Sequence, residues 1–508
     1  MAIATAVRAV GAVFRRRPAD ILPLYVLGAA VPAIIRVIPF IAAFIGYYYL
    51  ETTGRLEAAL AEFETVDPMP DPQANPDAFE AWFEQLLPIL ELLFPFPILV
   101  LAVGTVIVGV LGAIILYGIV TASQLSACYG RLRDERGLVA GIAGARRYWL
   151  RIAGLYVLEF FLWAVVLVGG GIGATLFVGL LAVADPLVGV LMGLLVALVF
   201  VGVLAVIRAL FAFAPVAVVV DDAGIFDSVS SAGRFIRAQP VGAIVYYVVS
   251  IGAMFAISTL TGLLALVEVT AIIPLLSALV LLPALDLLKS SLYVQYRGRL
   301  TPPAPAERPL RRRTTGGLRH GWTEMVTFVR GTLGTHAIVV ALALVSFWVG
   351  WRLADPYTDV GVLEASIAAR LEGHMPPAAA LEFFGNNWLV ALMTAFGGLA
   401  LAIPAIFSLV FNGVFLGVMA RLEVEPLELL AFVIPHGIFE IPAIFIATVV
   451  GISLGIAWFR AVQGRLSRVA FADRLERAFW VLIGVGILLA IAAVVEGFIS
   501  PYYYDLFL

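Results

Sequence analysis

Apolar residues in this chain do not form the stripe of a surface helix. They run on without interruption at 21–50, 95–127, 150–184, 186–220, 240–267 and 270–295, and again at 336–354, 388–420, 427–459 and 478–500. About 20 apolar residues suffice to cross a bilayer as a helix. Neither the period of an amphipathic helix nor the alternation of a half-buried strand organises these runs. The pattern predicts an all-α, polytopic integral membrane protein. The first six runs predict six spans. The second half predicts three more, about nine in all, plus one segment of a different kind.

Charge between the runs orients them, because arginine-rich loops stay in the cytoplasm. The N-terminus carries Arg8, Arg15, Arg16 and Arg17 and is placed inside. No small-residue cleavage site follows, so the first run is read as a retained span and not a signal peptide. Residues 51–94 hold ten acids against the single Arg55, which places them outside. The 129–151 loop, with Arg131, Arg133, Arg136, Arg146, Arg147 and Arg151, is inside, as is 221–239 with Arg234 and Arg237. The latter, apolar on one side at Ile225, Phe226, Val229, Phe235 and Ile236, reads as a short helix lying flat at the interface. Residues 297–321, RGRLTPPAPAERPLRRRTTGGLRHG, are basic and rich in proline. Residues 297–335 are therefore read as a solvated cytoplasmic connector. It joins a six-span domain, 1–296, to a second membrane domain, 336–508.

The second half does not close so easily. The acidic stretch 355–386 is external and the basic turn 460–477 internal. The run 388–420 then has to end inside at Arg421, so 427–459 both starts and ends inside. That requires two short spans or a re-entrant hairpin, broken at Pro442 and at Gly451 or Gly455. Such breaks are tolerated only where they are buried in protein or line a cavity. The C-terminus, SPYYYDLFL, falls outside with its tyrosines at the interface.

Composition agrees with the pattern: 62% of residues are hydrophobic and 13% charged, against about 25% charged in soluble domains. The lone cysteine, Cys128, excludes an intrachain disulfide and a thiolate-based zinc site. The expected partners are the lipid bilayer and other membrane proteins or further copies of the chain. The basic linker is read as an ordinary positive-inside segment, with no nucleic acid implied. GxxxxGK[ST], a strand-borne GxGxxG, GxSxG and CxxC are all missing. No enzyme, cofactor or metal centre is therefore expected.

Candidate chemistry lies where polar residues enter apolar runs. Each ionisable group at membrane depth costs about 2.5–3.5 kcal/mol on insertion scales, and such groups usually face a bundle interior with a partner. His436 and Glu440 sit one turn apart in VIPHGIFEIPAIFIATVVGISLG, residues 433–455, and so share a helix face. The expectation is an imidazole N–H donated to the carboxylate. Asn412 lies late in its run, Glu496 near the outer end of the last, and Asn386 and Asn387 at the outer mouth of 388–420. Two roles are open for this set: glue for a broken helix, or a proton or cation relay. A metal or hydrolytic site is disfavoured, because H-x-x-x-E is not HExxH and one imidazole is a thin ligand set. The other histidines, His320, His336 and His374, are scattered. Asp286 and Lys289 are expected to pair, and Glu159 is a candidate partner for Arg208. Gly413 with Gly417, and Gly451 with Gly455, have the small-xxx-small spacing that lets helices approach closely.

PHGIFEIPAIFIATVVGISLG (435–455), FNGVFLG (411–417), FFGNN (383–387) and VVEGFISP (494–501) occur in that order. Together they make residues 322–508 resemble the stage II sporulation protein M family. The first half more loosely resembles the six-span membrane domain fused to glycerophosphodiester phosphodiesterases, through FAFAPVAVVVDDAGIFDSVSSAGRFIR (211–237). No phosphodiesterase activity carries over from that likeness. The sporulation-M resemblance implies a scaffold, not a hydrolase, within a membrane complex that remodels the cell envelope. Two functions stay open: a non-enzymatic scaffold or organiser of the cell membrane, and a transporter or channel using His436, Glu440, Glu496, Asn412 and Asn387 as a polar path.

Overall fold

A computed structural model describes residues 2–70, 75–302, 304, 309–355, 358, 375–422 and 426–504. His374 and most of the acidic stretch 355–386 lie outside the described residues. Among the described residues every regular element is helical. Ten of these helices are long and apolar enough to cross a membrane, and the chain is a multi-pass, all-α membrane protein. Phe160, Leu180 and Val183 expose 75%, 77% and 89% of their surface. Water does not tolerate patches of that size and density, but hydrocarbon does.

Two compact units are present, Pro32–Ile114 and the remainder of the chain. The smaller contains helix α3 (Arg55–Phe63) and helix α4 (Pro76–Leu93), which pack on each other. Acidic residues 51–94 are therefore largely helical. The Asn75 side chain caps α4 by accepting from Ala78 N at 3.1 Å, one of the orphan N–H groups of a helix start.

The larger unit begins with α1 (Ala2–Arg16). Helices α2 (Leu22–Thr52) and α5 (Phe96–Arg131) each have residues in both units. Then come α6 (Gly137–Ala164), α7 (Gly171–Ala184), α8 (Pro186–Asp221), α9 (Ile225–Ala238) and α10 (Pro240–Ala265). A π-bulge at Val165–Gly170 joins α6 to α7. Helix α11 (Ile272–Leu276) leads through a second bulge into α12 (Leu282–Tyr296). These helices match the six spans read from the sequence. The Asp185–Pro186 dipeptide shows why α8 starts where it does. Proline suits the first helical position, and Asp185 accepts from Leu187 N at 2.8 Å.

The expected intramembrane pairs of the first half are present. Lys289 Nζ lies 2.7 Å from Asp286 Oδ1, and Arg208 Nη1 lies 3.1 Å from Glu159 Oε1. Tyr25 OH donates to Asp286 Oδ2 at 3.0 Å and lies 3.2 Å from Cys128 Sγ, so the cysteine is a buried packing residue. Asp20, 2% exposed, accepts from Gly137 N and Leu138 N at 2.7 and 3.1 Å and so caps α6.

The connector departs from expectation. Its prolines stop at Pro309, and α13 (Leu310–Gly331) begins at the next residue. Gly321 and Met325 are buried, and Arg477 Nε donates to Glu324 at 3.1 Å. The stretch is a helix laid on its neighbour because, past the prolines, nothing opposes helix and one face is apolar.

The second half is rearranged most. It contains α14 (Leu333–Ala354), α15 (Pro376–Gly397), α16 (Ile403–Leu422), α17 (Pro426–Val462), α18 (Arg468–Phe498) and the short α19 (Ser500–Tyr504). The run read as one span, 388–420, is two helices joined by a turn. Segment 427–459, read as re-entrant or paired, is one helix of 37 residues with Pro435 and Pro442 inside it. The break lies at 398–402, where Leu401 and Ala402 adopt φ of 59° and 64°. Arg421, expected to mark the cytoplasmic side, instead donates to Asp355 Oδ1 at 2.7 Å, just past the end of α14. Helices α14 and α16 thus rise in parallel from the end where α13 joins α14.

The basic segments gather at that other end. Arg136 pairs with Asp473 and Glu476 at 2.7 and 3.0 Å, and Thr301 N donates to Leu132 O at 3.0 Å. Arg147 and Arg151 both reach Asp222. Arg136, outside the spans, has its pKa raised by the Asp473 hydrogen bond.

Candidate functional site

Helix α17 carries His436 and Glu440 on one face because they are four residues apart. Helix α18 brings Glu496 opposite them, and Ser500, at the start of α19, closes the group. One ligand atom each from His436, Glu440 and Glu496 lies within 4.8 Å of the other two. His436 is 7% exposed and Ser500 fully buried. His436 Nδ1 lies 3.0 Å from Ser500 Oγ, so the imidazole's side-chain hydrogen-bond partner is a hydroxyl and not the expected Glu440 carboxylate. The ring of Phe432 meets the imidazole edge-on, with centroids 5.6 Å apart. Glu496 Oε2 is buried without a hydrogen-bond partner.

The other two sequence candidates are engaged elsewhere. Asn412 Nδ2 donates to Ser408 O at 2.7 Å, and Ser408 Oγ lies 3.1 Å from Thr394 Oγ1. That chain links α16 to α15. Asn387 Oδ1 accepts from Asn386 Nδ2 at 3.1 Å, along α15. The structure thus draws together three of the five candidates and adds Ser500, which sequence reasoning missed. Ser500 follows VVEGFI directly, and its spacing of four from Glu496 was the available signal.

Around this group the bundle is held by backbone contact. A methyl group on Gly417 would overlap Phe347 O, and one on Gly350 would overlap Val414 O. These contacts close the α14–α16 seam. At the 398–402 turn, a methyl on Gly451 would come within 2.6 Å of Ala405 Cβ, and one on Gly455 within 2.5 Å of Ala402 N. Both spaced glycine pairs therefore lie at close helix approaches. Elsewhere Glu382 accepts from Thr270 N and Ala271 N at 2.6 and 2.7 Å, capping α11 and tying α15 to the first half. A second polar feature is a cavity of about 950 Å³ at the basic end, with Arg15, Arg16, Arg17, Arg136, Arg312 and Arg313 in its wall.

Residues 336–501 match the family described as Stage II sporulation protein M, so the likeness carried by the four sequence motifs is borne out. The chain is also similar to an uncharacterized protein of Methanocaldococcus jannaschii. The two are 29% identical over 120 residues, which is 23% of this chain and 67% of that relative. No solved structure matches the chain.

Proposed function

We propose that this protein is a non-enzymatic organiser of the cell envelope, a scaffold whose C-terminal bundle presents a fixed surface within the membrane. One observation carries the reading: the helices of 333–498 meet backbone to backbone at Gly350, Gly417, Gly451 and Gly455. A side chain can swing, but contacts between main-chain atoms hold two helices at one separation. Alternating access requires helices or bundles to rock against each other, and these seams oppose it. The division of the polar residues supports the same view, since Asn412 and Asn387 bond along their own helices and do not continue a path from His436. Similarity to the Stage II sporulation protein M family agrees with a place in the envelope.

The transport reading keeps one favourable observation, the convergence of His436, Glu440 and Glu496. Reconstitution separates the two. Purified protein in liposomes loaded with a pH-sensitive dye is given a potassium diffusion potential, with and without added divalent cations. The scaffold reading expects flux no greater than in empty vesicles. A proton or cation flux that Glu440→Gln abolishes would replace it with the transporter.

A further inference from the structure

We infer that His436, Glu440 and Glu496 bind a divalent transition-metal ion, zinc foremost, and that the ion clips α17 to α18 inside the apolar layer. The first support is geometric. Three ligand atoms of types that zinc accepts lie within 4.8 Å of one another. Zinc bonds of about 2.0–2.2 Å to nitrogen and oxygen put tetrahedral ligands about 3.4 Å apart. The group therefore needs a contraction of at most about 1.4 Å, a distance that rotation of two flexible glutamate side chains can supply.

The second support is electrostatic. When ionised, the two carboxylates beside a neutral imidazole carry two negative charges in a medium that penalises each strongly. Among the described residues no arginine or lysine forms an ion pair with Glu440 or Glu496. A divalent cation cancels that charge, which a single proton shared between the acids does not.

The third support is the buried, unpartnered Glu496 Oε2. Buried polar atoms are almost always satisfied, and a bound cation would satisfy this one. Ser500 completes the arrangement. A metal on Nε2 leaves Nδ1–H to donate to Ser500 Oγ, 3.0 Å away, the outer-shell bond that commonly orients a ligating imidazole. Water takes the fourth position. The sequence alone pointed away from a metal because H-x-x-x-E is not HExxH and one imidazole with carboxylates is a thin ligand set. The third ligand comes from a different helix.

The experiment uses the full-length chain, purified in mild detergent without chelator, with metal content measured by plasma mass spectrometry. About one zinc ion per chain is expected. Glu496→Gln, which keeps the side-chain shape, should lose at least about fivefold of that metal while remaining monodisperse. Wild-type protein stripped with chelator is then titrated with Co²⁺. A visible absorption band that Zn²⁺ displaces supports the site without any variant, so misfolding of Glu496→Gln cannot obscure the answer. Ser500→Ala should weaken Co²⁺ binding by about tenfold or more. The inference is overturned if wild-type protein carries no metal and gives no Co²⁺ band. It is also overturned if folded Glu496→Gln retains the wild-type metal content. Either result would leave a proton-sharing cluster.

Discussion

Replacing Gly417 by alanine tests whether backbone contact holds the C-terminal bundle together. The new Cβ would overlap Phe347 O and lie 2.8 Å from Trp351 N and 2.9 Å from Phe347 C. All three are main-chain atoms of α14, so no rotamer change relieves them, and the helices must move apart by several tenths of an ångström or more. Gly413 and Gly350 share the seam, and separation at one point loosens contact at all. Overpacking of this kind costs about 1–3 kcal/mol. At about 2–4 °C per kcal/mol for a domain of this size, the midpoint should fall by roughly 2–12 °C. The assay is the temperature at which half of the monodisperse size-exclusion peak is lost after brief heating in detergent. Gly334→Ala is the control, because a methyl there meets nothing within 4 Å on the same helix. It should leave the midpoint unchanged or raise it slightly, since alanine favours helix over glycine by about 1 kcal/mol. If Gly417→Ala melts within a degree or so of Gly334→Ala, the seam does not bear the load assigned to it and the argument for a rigid scaffold loses its main support.

Two further outcomes follow from the geometry. In a Cys128→Ser background, Ala400→Cys and Leu422→Cys should react with impermeant maleimide from opposite faces of the membrane; labelling from the same face would refute the break at 398–402. Asp222 sits beside Arg151 and Arg147, whose hydrogen bonds and charges lower its pKa, the Arg151 bond most. Its contribution is therefore present above the unfolded pKa of about 3.9 and is lost as pH falls through the lower folded value. The small stability difference between wild type and Asp222→Asn should be constant from pH 7 to about 5 and shrink below about 4. A difference that grows on acidification would contradict the pairing.

The six spans of the first half were legible because each is a long apolar run between turn residues. The structure starts α10 at Pro240, where the run was read to start. The hairpin at 398–402 was not legible as one, because its residues, GLALA, are as apolar as the helices beside it. The available signal was Gly397–Gly398 before it and Pro404 after it, ordinary turn punctuation. The positive φ at Leu401 and Ala402 has no sequence signature, since neither residue favours that region. Pro442 shows the reverse case, a break expected from sequence where the helix continues. Proline removes one hydrogen bond and strains a turn, which in water often ends a helix. In an apolar medium an ended helix leaves more backbone groups unsatisfied than a kinked one, so α17 continues through both prolines. Arg421 misled for a related reason. Positive charge was counted as a sidedness signal, whereas Asp355 neutralises it.

The site residues and the glycine contacts belong to one design, because both lie on α17. His436 and Glu440 face α18 toward one end of the helix, while Gly451 and Gly455 press on the 398–402 turn toward the other. At 1.5 Å per residue the nearest members of the two levels, Glu440 and Gly451, are about 16 Å apart. Pro442 lies between them, two residues past Glu440, where its missing N–H leaves Ile438 O without a helical partner. A helix pinned at two levels and weakened between them concentrates any bending at the weak turn. The lower pin is main-chain contact and does not respond to solution conditions. The upper pin consists of an imidazole and two carboxylates, so its strength depends on whether a cation occupies it. Loss of that cation should therefore loosen only the part of α17 before Pro442, leaving the glycine seams and the surface they hold unchanged.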